Sequence, residues 1–150
     1  MIAGPYENKG SDERLAAYKK TLKSHGIVID EKRIIHTATF ERGYPEYAKK
    51  LLDLNPDLDA IVCASDNLAF DAYQVLKERG IRIGEDVQVV GFDGSKSSAK
   101  DIIKISTIRQ PVELIAEESV KALVNIIENN KVEKEIILPI SFINGYTTKR

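Results

Sequence analysis

Short runs of β-branched residues alternate along this chain with longer stretches at the helical period, and no internal repeat or low-complexity linker interrupts them. The rhythm predicts an α/β fold, a three-layer, doubly wound parallel sheet. Strand positions are Ile2-Ala3-Gly4, Ile34-Ile35-His36, Ala60 to Ala64, Val87 to Phe92, Ile105 to Ile108, and Ile136 to Leu138 continuing through Ile143. The two central runs are so continuously apolar that they read as strands covered on both faces.

Four helical segments lie between the strands. The first, Asp12 to Ser24, sets Leu15, Tyr18 and Leu22 on one face, with Asp12 and Glu13 in its first turn and Lys23, His25 and Gly26 at its end. The second opens at Pro45, buries Tyr47, Leu51 and Leu54 or their neighbours, and stops at Asn55-Pro56. The third runs from about Asn67 to Arg79, turning Leu68, Ala72, Val75 and Leu76 inward, with Gly80 as a left-handed cap. The fourth opens at Pro111 and has the strongest periodicity: Val112, Ile115, Ala116, Ser119, Val120, Leu123 and Ile127, ending before Asn129-Asn130.

Charge and cysteine content narrow the function classes. The 150 residues carry 22 Lys and Arg against 23 Asp and Glu, a net charge of −1, and the two signs are interspersed. Such a surface offers no footprint for a phosphate backbone and argues against direct nucleic-acid binding. A folded chain of this length buries about 70% of its unfolded surface, enough for a core without disulfides or metals. The single cysteine, Cys63, cannot form an internal bridge, which leaves a reducing compartment or a bridge-free exported protein. No apolar run approaches the roughly 18 residues that span a bilayer, and the first residues read as neither leader nor anchor.

In a parallel sheet the ligand crevice lies beyond the carboxyl ends of the strands, so the residues that follow each strand carry the candidate chemistry. They are the loop Tyr6 to Ser11 leading to Arg14, then Thr39 and Phe40, Ser65 and Asp66, Asp93, and Gln110. A carboxylate accepting two hydroxyls, a guanidinium fork, small polar groups and one ring suit a small polyhydroxylated or heterocyclic ligand. Each also has an ordinary structural reading. Ser65 or Asp66 can cap the third helix, Asp93 can start an Asx-turn in Gly91-Phe92-Asp93-Gly94-Ser95, and Phe40 can be a core or rim aromatic. Arg14, placed in a first helical turn, opposes the helix dipole, a local rule broken without local gain. Phosphate-loop, dinucleotide, nucleophile-elbow and zinc-protease motifs are absent, and His25 and His36 lack metal-ligand spacing. No catalytic residue, metal or cofactor is therefore expected. Cys63, within an apolar strand, reads as a small buried hydrophobe.

Five ordered blocks carry a resemblance: Ile2-Ala3-Gly4-Pro5, Glu13-Arg14-Leu15-Ala16-Ala17-Tyr18, Asp57 to Ala69, Gly80 to Asp93, and Thr107-Ile108-Arg109-Gln110-Pro111. Together they resemble the C-terminal half of the effector-binding core of LacI/GalR transcriptional regulators, a core related to periplasmic sugar-binding proteins. The likeness covers essentially the whole chain, and Gly80 to Asp93 is its most diagnostic block. It implies that residues 1–150 form one effector-binding subdomain of a two-lobed, periplasmic-binding-protein-like fold, a piece of a longer protein with a DNA-binding head and a first subdomain. It also implies effector contacts from Arg14, Phe40, Ser65, Asp93 and Gln110, with Asn8 and Gly10 added from the first loop.

The implied mechanism is binding without turnover. Two similar subdomains close on a sugar, nucleobase or related metabolite, and closure respaces the DNA-binding heads of a cytoplasmic homodimer, which touches DNA only through those heads and no membrane. The same fold also serves as a substrate-binding lobe of sugar-uptake or sensor proteins. A flavodoxin-like enzyme or receiver would need an acidic cluster and a Lys after the last strand that this order does not show.

Ser65 stands where the family usually has Asn, Gly94 where a second Asp is common, Gly84 where Pro is usual, and Asn144-Gly145 where the closing strand usually has an Arg. The first of these shortens a donor-acceptor arm. In the family, the helix corresponding to Pro111–Glu128 packs on the first subdomain. Without that partner, Ile115, Val120, Leu123 and Ile127 are expected to dock on the chain's own sheet or on a second copy.

Overall fold

The computed structural model describes residues 1–94 and 104–149. Strands β1 (Ile2–Ala3), β2 (Ile35–His36), β3 (Ala60–Val62), β4 (Gln88–Asp93) and β5 (Ser106–Arg109) are parallel, and β6 (Ser141–Ile143) runs antiparallel to β5 at the edge. β1 meets β3 at a bridge between Ile2 and Cys63, where the Ala64 amide donates to the Ile2 carbonyl at 2.9 Å. The strands therefore lie in the order β2-β1-β3-β4-β5-β6, with the winding reversed between β1 and β3. A reversal of that kind opens a crevice at the carboxyl ends. Right-handed crossovers put α1 (Lys9–Ser24) on one face and α2 (Glu46–Leu54) and α3 (Asp66–Glu78) on the other.

The core lies under α2 and α3. Ile2, Leu51, Ile61, Leu68, Leu76 and Val89 are each no more than 1% exposed, and full burial of such side chains stabilises by about 1.5–3 kcal/mol apiece. The opposite face of β3 and β4 is only partly covered. Ile61 is buried but Val62 is 36% exposed, and Val90 and Phe92 are half-buried. The central strands are thus fully sealed on one face only, because among the described residues α1 alone crosses the other face near β1. Cys63 is buried as expected, and burial pushes its thiol up to about 12. The native chain should therefore resist a disulfide-exchange reagent at pH 8 and react only as fast as it unfolds; prompt labelling without denaturant would contradict this packing.

Local chemistry accounts for the departures from the periodicity. Helix α1 begins at Lys9 rather than Asp12, since the Asn8 side chain accepts the Ser11 amide at 3.1 Å as an N-cap. Arg14 consequently lies in the second turn, and the conflict with the helix dipole read from the sequence disappears. Ile136 to Leu138 is not a strand, and the closing strand is confined to Ser141–Ile143. Helix α4 (Val112–Ile127) buries none of its residues, with Val120 61%, Leu123 56% and Ile127 70% exposed. The expected docking of this helix on the chain's own sheet does not occur. The chain leaves the sheet at Gln110-Pro111, and Ile115 of α4 faces the hollow lined by Arg14 and Phe92. No helix among the described residues is long and apolar enough to cross a membrane.

Candidate functional site

The carboxyl ends of β4 and β5 bring three of the sequence-derived candidates together. Arg14 reaches across the switch point from α1, its Nη1 donating to the Ala64 carbonyl at 2.9 Å beyond β3. Its guanidinium lies 3.9 Å from the centroid of the Phe92 ring, a stacking that holds the fork flat. Asp93 accepts Gln110 Nε2 at 2.9 Å, and its carbonyl accepts the Gln110 amide at 3.1 Å. Arg14, Phe92, Gln110 and Glu13 line one hollow of about 420 Å³, walled on its outer side by Ile115 and Ile136. The volume falls in the range of small-molecule sites. Arg14 and Gln110 thus share the hollow, and Asp93 stands beside it, bonded to Gln110 and within electrostatic reach of Arg14.

Asp93 is the electrostatically unusual member. Burial, and then the negative charge of Asp66, push its carboxyl above the usual range. The Arg14 guanidinium, the Gln110 side chain and the Asp66 amide pull it back. Its backbone φ of 128° lies in a region that L-residues seldom adopt. Such strain, of order 1–3 kcal/mol, concentrates where a side chain must point in a fixed direction. The Asx-turn alternative extends to Ser95, which lies outside the described residues.

The other candidates are placed differently. Ser65 is 4% exposed and accepts the Leu68 amide at 3.3 Å, so the α3 cap comes from this hydroxyl rather than from Asp66. Asp66 instead accepts the Thr107 hydroxyl at 2.5 Å, tying α3 to β5. Asn8 caps α1 from the exposed first loop, and Gly10 lies at the edge of the hollow. Phe40 packs half-buried against the core at the β1–β2 end of the rim, so close to Gly4 that a Cβ there would sit 2.3 Å from its ring. The lining of the hollow includes neither Phe40, Ser65 and Asn8 nor Asp93, whose link to it is the bond to Gln110.

Phe92 and Glu13 were missed as site residues. The signal for Phe92 was its two-residue spacing from Val90, which puts it on the open face of β4. Among the described residues no group of three or more His, Cys, Asp and Glu side chains is placed to hold a metal ion. What the rim offers is donors and acceptors at fixed positions, a flat cation and an aromatic face, the means to bind and orient a polar ring.

A doubly wound sheet with such a rim at its switch point is a binding lobe of the periplasmic-binding-protein type. The family model for the periplasmic binding protein-like domain matches residues 1–148. The regulator CelR of Thermobifida fusca is 35% identical over 133 residues, 88% of this chain and 39% of CelR. A lactose operon repressor of Rhizobium radiobacter is 38% identical over 110 residues, 73% of this chain and 96% of that protein. Among solved structures, a CelR–cellobiose complex superposes with a TM-score of 0.88 at 31% identity, over 97% of this chain and 45% of that one. A dimeric Lac repressor gives 0.88 at 26% identity over 99% and 54%. The chain belongs to the periplasmic binding protein-like family, as an effector-binding core of the LacI/GalR type. It spans about two fifths of the length of CelR and of the Escherichia coli regulator AscG.

Proposed function

We propose that this chain is the effector-sensing lobe of a LacI/GalR-type transcriptional regulator, gripping a sugar or related metabolite by its hydroxyls without transforming it. The observation that carries this reading is the convergence of Arg14, Phe92 and the Gln110–Asp93 pair on one rim at the switch point. Arg14 and Asp93 take hydroxyls in charge-assisted hydrogen bonds, with Gln110 holding the carboxylate in place. Relatives named as HTH-type transcriptional regulators favour this reading over a sugar-uptake lobe. In the whole regulator the lobe closes against a second one, and the movement is passed to DNA-binding heads in a homodimer. The exposed face of α4 is then covered by that second lobe or by a partner copy.

A complete cleft binding at about 1 µM is worth about −8.2 kcal/mol, and half of that energy corresponds to a dissociation constant of about 1 mM. The 150-residue chain by itself should therefore bind a cognate sugar only near the millimolar range. Calorimetry or NMR titration with a sugar panel that includes cellobiose tests this. Micromolar affinity would show that one lobe suffices, and no response from any sugar would overturn the sugar reading.

A further inference from the structure

Asp71 interrupts the apolar inner face of α3, among Leu68, Ala69, Ala72 and Val75, and is 7% exposed. A carboxylate in such a place is tolerated only when its oxygens are hydrogen-bonded, so its partners reveal its role. Both belong to the loop between β2 and α2. The Gly43 amide donates to Oδ1 at 3.2 Å and to Oδ2 at 3.0 Å, and the Tyr44 amide donates to Oδ2 at 3.0 Å. Gly43 adopts a φ of +95°, which lets two consecutive amides point at one carboxylate. One residue earlier on the helix, the Phe70 ring lies beneath Arg42, with 3.4 Å from guanidinium to centroid. The near side of the loop is fixed by its own bonds: Thr37 Oγ1 donates to the Thr39 carbonyl at 2.7 Å, and the Ala38 amide donates to Tyr47 Oη at 3.0 Å. Phe40 sits between these two sets of ties.

The N-terminal end of α3 serves the opposite end of the rim. Asp66 accepts the Thr107 hydroxyl, and its amide supports the Asp93 carboxylate. We propose that Asp71 is a positioning residue for the effector site: it anchors the Phe40 loop to α3, so that one helix holds the ring and the Asp93 carboxylate in register. The consequence for binding rests on the effector-sensing reading, with Phe40 as an effector contact on the rim outside the hollow, whereas the anchoring itself is measurable without ligand.

The test compares Asp71→Ala and Asp71→Asn with the native chain by amide exchange, by NMR of the Phe40 and Phe92 rings, and by titration with cellobiose. In Asp71→Ala the Gly43 and Tyr44 amides should exchange about tenfold faster relative to those of α2 and β4. The Phe40 resonances should shift while those of Phe92 stay. The side-chain carbonyl of Asp71→Asn should restore part of the protection, and this variant carries the comparison if the alanine form does not fold. Cellobiose affinity should fall about threefold to tenfold in Asp71→Ala, since the ring must then be ordered on binding. Loop exchange that rises only in step with the whole chain, or an unmoved Phe40 ring, overturns the anchor. A freed loop with unchanged cellobiose affinity overturns the positioning role. A native chain that binds no sugar of the panel overturns the effector reading and the positioning role with it, while the exchange data still report the anchor.

Discussion

Replacing Arg14 with Ala should weaken binding of the sugar that the native chain takes by about tenfold to a hundredfold, the loss of one or two charge-assisted hydrogen bonds of about 1.5–3 kcal/mol. The same change removes the Nη1 donation to Ala64 and uncovers the Phe92 ring. These ties are worth on the order of 1–2 kcal/mol together, so a melting point lower by a few degrees is also expected for a chain of this size. Arg14→Lys separates charge from shape. An ammonium keeps the sign but not the flat fork that lies on Phe92 and reaches Ala64, so it should recover little of the affinity. NMR titration gives the affinity and thermal unfolding the stability. Full recovery by Lys would mean that Arg14 acts as a point charge only, and unchanged affinity in Arg14→Ala would remove it from the site.

The fold was legible in the sequence to the extent that local pattern determines it. The helix-bounding signals at Pro45, Asn55-Pro56 and Gly80 mark elements that form within a residue or two of those points. Where the reading failed, non-local packing or a side-chain cap decided the outcome. Asn8 extended α1 backward because one amide acceptor outweighs the polar run that follows it. Val62 is exposed because the apolarity of a strand does not reveal how many helices cover it. Helix α4 carries a strong apolar period with no buried residue, since a period shows that a face needs cover without showing what supplies it. At the site, residue types after each strand pointed to Arg14, Asp93 and Gln110. The capping use of Ser65 was visible only as an alternative, and Phe92 and Asp71 were not singled out. The two share a reason: their roles come from partners about eighty and about thirty positions away, and no local spacing encodes such pairs.

Asp93→Asn should keep the fold and lose the ligand. Its carboxyl titrates above the ordinary Asp value because burial and the Asp66 charge outweigh Arg14 and Gln110. The native state therefore binds this proton more tightly than the unfolded chain does, and the contribution to stability falls as pH rises from the ordinary Asp value through the raised one. At neutral pH the charged form is the unfavourable one. Asn removes that charge, keeps an oxygen for Gln110 Nε2, and tolerates a positive φ better than most residues. The Asn variant should accordingly melt at or slightly above the native temperature at pH 7, and lack the part of the acid-side pH dependence that Asp93 supplies. Because the group is only half-buried, solvent screening keeps the gain small. Affinity for the sugar should drop about tenfold or more, since a neutral amide accepts hydroxyls less strongly than a carboxylate and offers one oxygen where there were two. Arg14 and Asp93 share one rim and one electrostatic coupling, so the double variant should lose less affinity than the sum of the two single losses. Additive losses would mean that they contact separate parts of the ligand. A chain unfolded by Asp93→Asn would mean that the carboxylate holds the turn after β4 and that its place beside Gln110 on the rim is incidental.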